Sequence, residues 1–416
     1  MAESISTDNL TGKDADKTAK SAQIFIFVTI FIYLLGFGIM IPLLPAIAKA
    51  AGGSAIVSGA LLSVFSAMQF LFSPFWGRLS DQYGRRPILL VCLLGEAFAY
   101  FLMTLSSSIE MLFASRIIAG FFGASISTAS AYISDVTSEK NRSKGMALIG
   151  VAFGLGFLLG PAVGGLLSHI GTQMYGSELA SIKLIAAVVT VVCILGFLFG
   201  WFFLKESLEK SASYKAPRDS RLKVFLQVYK KPVVGNLIFV SFLSATAMAC
   251  LESTLVLYVK DEFNWTMSQM GFGMVYVGVI SLISQGFIVR RLLPTIGEAK
   301  VLMLGLVLMV VAFAGISFGP NVIWLAVLMT SFSVGISFVS PALLGSISLL
   351  TDPKDQGLVL GTAQGNSSLG RIVGPLIGGF FYSGTHTFAF MVAAVIDVIA
   401  IAIVFSKRKF LPSGSK

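Results

Sequence analysis

Long apolar runs separated by short polar segments dominate this chain of 416 residues. Of its residues 56% are hydrophobic and 12% are charged, whereas soluble domains carry about 25% charged residues. A helix needs about 20 apolar residues to cross the hydrocarbon core of a bilayer. Twelve runs approach or exceed this length, near 23–45, 55–76, 87–107, 109–132, 145–168, 180–203, 233–257, 267–289, 299–318, 322–345, 357–382 and 385–405. The sequence therefore predicts an all-α membrane protein with twelve transmembrane helices.

Positive charges lie almost entirely in alternate loops. The segments on the side of the N-terminus hold 25 of the 30 Lys and Arg residues, whereas the opposite side holds Lys49, Lys183 and Lys260. Because Lys- and Arg-rich loops stay on the cytoplasmic side, we predict that both termini are cytoplasmic, in a bacterial inner membrane. This asymmetry accounts for most of the net charge of +10, so no nucleic-acid partner is predicted.

Part of the chain repeats itself at an offset of 214 residues. The repeated feature is a series of glycines four residues apart with a proline among them. Gly156, Gly160, Pro161 and Gly164 recur as Gly370, Gly374, Pro375 and Gly378. The repeat predicts two related six-helix bundles, 23–203 and 233–405, joined by a basic cytoplasmic linker, 204–232. Residues 1–22 and 406–416 are predicted to be cytoplasmic tails.

These glycines predict close packing between helices. Small residues four positions apart share one helix face and let two backbones approach closely, which is a main source of attraction between helices in lipid. Pro161 removes one backbone hydrogen bond and bends its helix. Ordinary packing is one interpretation of this helix-packing ladder, and a part in transport is the other.

A short charged hairpin, residues 77–87, lies between the second and third apolar runs. Its pattern consists of Gly77, Asp81, Gly84, Arg85 and Arg86. It resembles the cytoplasmic loop between the second and third spans of major facilitator superfamily transporters. The arginines alone would fit simple positive-inside signalling, but this does not explain the acid and the two glycines.

The resemblance implies a cytoplasmic latch. In that superfamily this hairpin and the loop after the fourth span, here with Asp135 and Arg142, stabilise the outward-open state. The resembled fold also implies two halves that rock around a central cavity, with the substrate site between parallel repeats.

The first half further resembles the tetracycline and multidrug/proton antiporters of this superfamily. Residues 156–165 are similar to their fifth-span motif, and residues 36–45 to part of their first span. Gln69 and Arg116 also match. However, their first-span acid aligns with Tyr33, which argues against tetracycline itself as the substrate.

Five charged residues fall inside the apolar runs, namely Glu96, Arg116, Glu252, Arg371 and Asp397. Each costs roughly 2.5–3.5 kcal/mol or more at the bilayer centre unless it is paired. A protonated carboxyl group avoids most of this cost, so an acid here can bind a proton from one side and release it to the other. Glu252, Glu96 and Asp397 are therefore the proton-coupling candidates.

The resembled fold implies which spans line the cavity, namely the first, fourth, seventh and tenth. The substrate-cavity candidates are Arg116, Tyr33, Gln69, Asn366 and Arg371. Arg116 could hold an anionic group of the substrate, keep a nearby carboxylate charged, or clamp two helices together. Glu252 is the first choice for the proton or cation site, unless it faces water at the outer end of its span.

Glu96 and Asp397 each have more than one interpretation. Glu96 lies one turn before the position at which tetracycline antiporters carry an acid, which is Ala99 here. Since residues three apart share a helix face, Glu96 could serve the same side. Asp397 could instead form a structural polar contact with another span.

The predicted function is the export of amphiphilic or cationic small molecules in exchange for protons. The first alternative is a proton-coupled uptake symporter or facilitator for a small metabolite or organic anion. The second is a non-transporting receptor or lipid-handling protein on the same fold. Small molecules, protons and the lipid bilayer are the predicted partners of a functional monomer. No enzymatic activity, cofactor or metal site is predicted.

Overall fold

A computed structural model describes residues 12–40, 43–106, 108–137, 142–208, 227–319, 321–352 and 355–411. Most of the predicted linker, residues 209–226, lies outside this range. The α-helices are α1 (Gly12–Met40), α2 (Leu43–Ala50), α3 (Ala55–Tyr83), α4 (Arg85–Leu105), α5 (Ile109–Gly123), α6 (Ile126–Asp135), α7 (Arg142–Tyr175), α8 (Glu178–Phe203), α9 (Pro232–Phe263), α10 (Met267–Ile283), α11 (Arg290–Ile296), α12 (Glu298–Ile316), α13 (Val322–Leu349), α14 (Gln356–Tyr382) and α15 (Phe388–Lys407). A π-helical segment, Ser284–Val289, joins α10 to α11.

Polar residues at the run boundaries fix several helix ends. The first N–H groups of a helix have no partner within it. At the start of α13 the Oδ1 atom of Asn321 accepts the N–H of Ile323 at 2.9 Å and that of Trp324 at 3.1 Å. At the end of α9, Asn264 adopts a left-handed conformation with φ of 53°, which terminates the helix.

Ten helical segments in the described part of the chain are long and apolar enough to cross a membrane. The two remaining predicted runs, 145–168 and 357–382, also form helices, of 34 and 27 residues. Large apolar side chains remain exposed on the segments long enough to cross a membrane, including Phe202 at 73% and Phe287 at 64%. This exposure is expected for surfaces that contact lipid. The protein is an integral multi-pass membrane protein, and the predicted all-α membrane fold is confirmed.

The helices form two compact units. The first unit consists of Met1–Leu43 with Ala67–Ala216, and the second of Leu44–Ser66 with Pro217–Lys416. Both boundaries near the N-terminus fall within helices, in α2 and in α3. The division into bundles at 23–203 and 233–405 stays a prediction.

In the first unit, α1 and α7 contact each other backbone to backbone. A Cβ atom placed on Gly38 would lie 2.2 Å from the carbonyl oxygen of Gly156. One on Gly160 would lie 2.5 Å from the carbonyl carbon of Gly38, and one on Gly164 would lie 3.2 Å from the oxygen of Ile39. At each of these positions the absence of a side chain makes room for the backbone of the neighbouring helix.

In the second unit, α14 and α9 make the corresponding contact. A Cβ atom on Gly370 would lie 2.7 Å from the oxygen of Phe242, and one on Gly374 would lie 2.4 Å from the oxygen of Thr246. Gly378 faces Cys250 and Ser253 in the same way. Pro161 lies inside α7 and Pro375 inside α14. The repeat in the sequence is thus also a repeat in the packing of two helix pairs.

Substitutions within α14 can test the close approach. Gly374→Ala should destabilise the second unit by about 1–3 kcal/mol, the usual cost of overpacking a tight contact. Gly361→Ala is the matched control, because a Cβ atom there meets nothing within 4 Å and alanine favours the helix. The thermal midpoint of detergent-purified protein should fall in the first variant and stay or rise in the second. Equal shifts would contradict the packing role.

Candidate functional site

A cluster of charged side chains surrounds the start of α4 in the first unit. Its centre is the guanidinium group of Arg85, which is only 8% exposed. Its Nη1 donates to Asp81 Oδ1 at 2.5 Å and to Ser80 Oγ at 2.8 Å, and its Nε donates to Asp135 Oδ2 at 3.1 Å. A charge removed from water needs such compensation. The structure thus brings Asp81, Arg85 and Asp135 together, three of the residues predicted for the latch.

The first N–H groups of α4 are satisfied by Glu206, which the sequence analysis did not identify. Its Oε1 accepts the N–H of Arg85 at 2.8 Å, and its Oε2 accepts the N–H of Arg86 at 3.2 Å. A carboxylate at a helix N-terminus is also stabilised by the helix dipole. The available signal was an acid immediately after the apolar run 180–203, but its partner lies 121 residues away in the chain.

Gly84 fits this arrangement for two separate reasons. Its φ angle of 104° belongs to the region that residues with a Cβ atom rarely adopt. In addition, a Cβ atom at this position would lie 2.3 Å from Oε2 of Glu206. The glycine therefore both makes the turn between α3 and α4 and leaves room for the carboxylate.

The other predicted latch residues have different surroundings. Arg86 Nη2 donates to the carbonyl oxygen of Trp201 at 2.6 Å, and its guanidinium lies 5.6 Å from the centre of the Trp201 ring. Gly77 lies inside α3, where a Cβ atom would meet only Ser127 Oγ at an ordinary 3.8 Å. Arg142 begins α7, but its side chain lies outside the described part of the structure.

Two of the predicted cavity residues meet at the break between α5 and α6. The Tyr33 hydroxyl donates to the carbonyl oxygen of Gly123 at 3.1 Å. The Gln69 amide nitrogen donates to the same oxygen at 3.0 Å and to the Tyr33 hydroxyl at 3.3 Å. Because α5 ends at Gly123, its carbonyl can accept both groups, and α1, α3 and α5 are joined there.

A buried acid and a buried arginine lie elsewhere in the first unit. Glu96 and Arg116 are each 1% exposed, and the positive charge of Arg116 acts on the carboxyl group of Glu96. Neither carboxyl oxygen of Glu96 has a hydrogen-bond partner among the described residues. Arg116 contacts Met103 Sδ through Nη2 at 3.6 Å, and its guanidinium lies 5.1 Å from the centre of the Tyr100 ring.

The second unit contains another acid and arginine, Glu252 on α9 and Arg371 on α14. Arg371 acts electrostatically on Glu252, and both residues are partly exposed. In the described part of the chain no ion pair within 4.0 Å joins them. The two residues therefore interact at a distance longer than an ion pair.

Asn366 and Asp397 make contacts between helices of the second unit. Asn366 is 2% exposed, and its amide nitrogen donates to the Tyr229 hydroxyl at 2.5 Å and to the carbonyl oxygen of Ile238 at 2.7 Å. Asp397 is fully buried, and its Oδ1 accepts a hydrogen bond of 3.4 Å from Ser244. Its Oδ2 has no partner among the described residues.

Comparison with known proteins identifies the family. The family model of the Major Facilitator Superfamily matches residues 26–295 and again residues 237–416. The protein belongs to this superfamily. The resemblance predicted from the hairpin and the glycine ladder is thereby confirmed.

Several known proteins align with this chain along most of their length. The class E tetracycline resistance protein of Escherichia coli is 30% identical over 376 residues, covering 86% of this chain and 87% of the relative. The class B protein of the same species is 28% identical, with 87% and 88% covered. Multidrug resistance protein 2 of Bacillus subtilis is 27% identical, with 92% and 94% covered.

Solved structures of other proteins share the fold of this chain. A crystal structure of the human organic anion transporter TETRAN is 27% identical, with a TM-score of 0.68 over 93% of this chain and 99% of that chain. A bacterial homologue of the human lysosomal transporter Spinster, solved in an inward-facing, occupied conformation, has a TM-score of 0.75 over 96% and 98% of the two chains. At 14% identity this second similarity shows the fold alone.

Substitution of Glu206 tests its role in capping the N-terminus of α4. Glu206→Ala leaves two N–H groups at the start of α4 without their acceptor, which should destabilise the first unit by about 1–3 kcal/mol. Glu206→Gln keeps one acceptor oxygen and should lose less. Thermal unfolding of the purified protein measures both effects.

The matched control for this prediction is Glu110→Ala, which removes an exposed acid from the first turn of α5. The carboxylate of Glu110 is exposed, so its contacts at the helix start compete with water, and this variant should lose less stability than Glu206→Ala. A loss at Glu110 equal to that at Glu206 would argue against a specific cap.

Proposed function

We propose that this protein exports amphiphilic or cationic small molecules in exchange for protons, by alternating access. The observation that carries the proposal is its similarity, over 86% or more of the chain, to tetracycline resistance proteins and to a Bacillus multidrug resistance protein. The alignment includes both halves of the sequence repeat, as expected if the whole transport unit is shared.

Glu252 is the proposed site of proton coupling. A protonated carboxyl group is tolerated in the membrane interior, whereas its charged form needs a nearby cation. Glu252 is partly exposed, and Arg371 on α14 supplies a positive charge that acts on it. Inward movement of one proton gains about 2.3 kcal/mol per 100 mV of membrane potential.

Glu96 and Asp397 are the second and third candidates for proton coupling. Glu96 has Arg116 as its charge partner, but the carboxyl group is enclosed, so it can exchange a proton only after the surrounding helices move. The hydrogen bond of Asp397 to Ser244 favours a structural contact between α15 and α9. The unpartnered second oxygen keeps Asp397 among the candidates.

The proposed substrate contacts are Tyr33, Gln69 and Arg116 in the first unit and Arg371 in the second. Tyr33 and Gln69 would present polar groups that already share the Gly123 carbonyl. Asn366 was also predicted to line the cavity. Both hydrogens of its amide group have acceptors within the second unit, so we propose that it positions Tyr229 and α9 and leaves substrate contact to the other residues.

Uptake or release of an organic anion is the second candidate function. It is favoured by the similarity to the human organic anion transporter at 27% identity. Arg116 and Arg371 are guanidinium groups in membrane spans, and neither forms an ion pair within 4.0 Å in the described part of the chain. A carboxylate or sulfonate of a substrate would supply an anion at ion-pair distance.

The proposed topology places both termini and the Arg85 cluster on the cytoplasmic side of a bacterial inner membrane. The cluster would hold the ends of α3, α4 and α6 together at the start of the linker. Its further action as a latch between conformations, including Arg142, belongs to the same proposal. We expect the monomer to be the functional unit.

Proton flux in proteoliposomes tests the proposed function. Lipophilic cations, tetracyclines and organic anions would be added in turn while internal pH is followed with a trapped dye. We expect protons to move opposite to a lipophilic cation. Glu252→Gln cannot release a proton and should abolish this flux while leaving substrate binding measurable.

Two variants complete the flux measurement. Glu96→Gln tests the second acid, and loss of flux only in this variant would move the proton site to α4. Glu110→Gln, at an exposed position, controls for the loss of a carboxylate. Substrate moving with protons, or without them, would overturn the exporter proposal, and binding without turnover would favour a receptor.

A further inference from the structure

α12 and α15 lie side by side in the second unit and run in opposite directions. The two helices pack against each other, and the hydroxyl group of Ser317 donates to the carbonyl oxygen of Thr387 at 3.3 Å. Ser317 follows the last residue of α12, and Thr387 precedes the first residue of α15. Because the helices have 19 and 20 residues and each residue adds the same rise, their other ends, Glu298 and Lys407, also lie at one level.

Cationic side chains gather at this second level. They belong to α11, to the first turn of α12, and to the last residue of α15 with the short 3₁₀ turn after it. We call this set the basic end, and in the described part of the chain it consists of Arg290, Arg291, Lys300, Lys407, Arg408 and Lys409. Lys407 is half-buried and the other five are exposed. The acid Glu298 lies against α13, since a Cβ atom on Gly345 would lie 3.5 Å from its Cγ atom.

The basic end is not compensated by acids of the protein. Among the described residues, no ion pair within 4.0 Å includes any of its members. Two cations elsewhere in the second unit do have acid partners, since Lys49 pairs with Asp261, and Lys231 pairs with Asp355 at 2.6 Å. A negative group from outside the protein would therefore meet unpaired positive charge at the basic end.

A similar turn in the first unit shows the opposite arrangement. Gly84 precedes α4 with a φ angle of 104°, and Gly297 precedes α12 with a φ angle of 83°. Beside the first turn, Arg85 binds the carboxylates of Asp81 and Asp135. Beside the second, the described residues form no such network, so the same kind of helix end keeps its positive charge at the surface.

Exposed aromatic rings accompany these cations. Phe405 and Phe410 are 53% and 64% exposed, and Phe287, three residues before Arg290, is also largely exposed. The guanidinium group of Arg408 lies 4.0 Å from the centre of the Phe405 ring. Aromatic rings and cations at the ends of membrane spans typically lie at the level of the lipid headgroups. There the rings contact the acyl chains, while long cationic side chains reach the phosphates.

We propose that the basic end binds the headgroup of an anionic phospholipid and holds this part of the second unit at a negatively charged leaflet. Guanidinium groups bind phosphate oxygens through paired N–H donors, and ammonium groups add positive charge. Anionic lipids attract such clusters of cations beside membrane spans. The binding depends on the membrane location of the protein and on no step of the proposed export.

Orientation of the chain during membrane insertion is the simpler role for cations at span ends. That role requires only that the charges lie on one side of the membrane. Binding of a headgroup requires in addition that they lie together, as they do where α11, α12 and α15 meet. Cations on the same side of the predicted topology but outside the basic end, such as Lys205 and Lys230, therefore serve as controls.

Lipid binding to the purified full-length protein tests the proposal. Native mass spectrometry would count the lipids bound as phosphatidylglycerol or phosphatidylcholine with the same acyl chains is added. Both lipids carry a phosphodiester group, but only phosphatidylglycerol has a net negative charge. The parent should bind its first molecule of phosphatidylglycerol roughly 25-fold or more tightly than phosphatidylcholine, since each cation near an anionic surface contributes about fivefold.

Substitutions in pairs locate the site. Arg408→Gln with Lys409→Gln should weaken the binding of phosphatidylglycerol by roughly 10- to 25-fold and leave that of phosphatidylcholine unchanged. Arg408→Lys with Lys409→Arg keeps both charges and should bind as the parent does. Lys205→Gln with Lys230→Gln removes the same charge from exposed positions elsewhere and should also match the parent.

Arg290→Gln with Arg291→Gln tests the α11 side of the basic end, and its effect should have the same direction. Loss in either pair, with both controls unchanged, supports the site. Equal affinity of the parent for the two lipids would overturn the proposal, as would unchanged binding in both pairs. An equal loss in the Lys205 and Lys230 control would overturn it too, because the total charge would then account for binding.

Discussion

The absence of water from the hydrocarbon core is the constraint on which the rest of this structure depends. Every backbone N–H and C=O group there must find its partner within the protein, which makes helices the natural form of each apolar run. Between helices, lipid is as apolar as the side chains, so burial of apolar surface adds little. Close contact then becomes important, and glycines provide it between α1 and α7 and between α9 and α14.

The same constraint separates two kinds of charged group. Arg85 has partners in three side chains and lies at a helix end, where its charge is compensated in the resting structure. Glu96, in contrast, is buried without a hydrogen bond to either oxygen in the described part of the chain. A satisfied charge stabilises one arrangement, whereas an unsatisfied acid gains stability by binding a proton. Acids of the second kind are therefore among the candidates proposed for proton coupling.

Contacts between distant residues decided roles that local patterns had left open. Asp81 was predicted as part of the hairpin pattern, with no partner assigned. The structure pairs it with Arg85, and Glu206 accepts from the helix start. Asn366 was expected beside a cavity, but its amide hydrogens bind groups of the second unit. In both cases the sequence showed a polar residue within or beside an apolar run. Its hydrogen-bond partner depended on how the helices are rotated about their axes, which the sequence does not show.

The sequence by itself determined the membrane location, the helical spans, the superfamily and the residues that carry charge within the spans. These features depend on run length, local composition and short motifs, which act over one or two helix turns. Only the tertiary structure decided that Glu206 caps α4, that Tyr33 and Gln69 share one carbonyl, and that Lys49 pairs with Asp261. These contacts join residues between 54 and 212 positions apart, and the rotation and depth of each helix fix them in ways that no local pattern records.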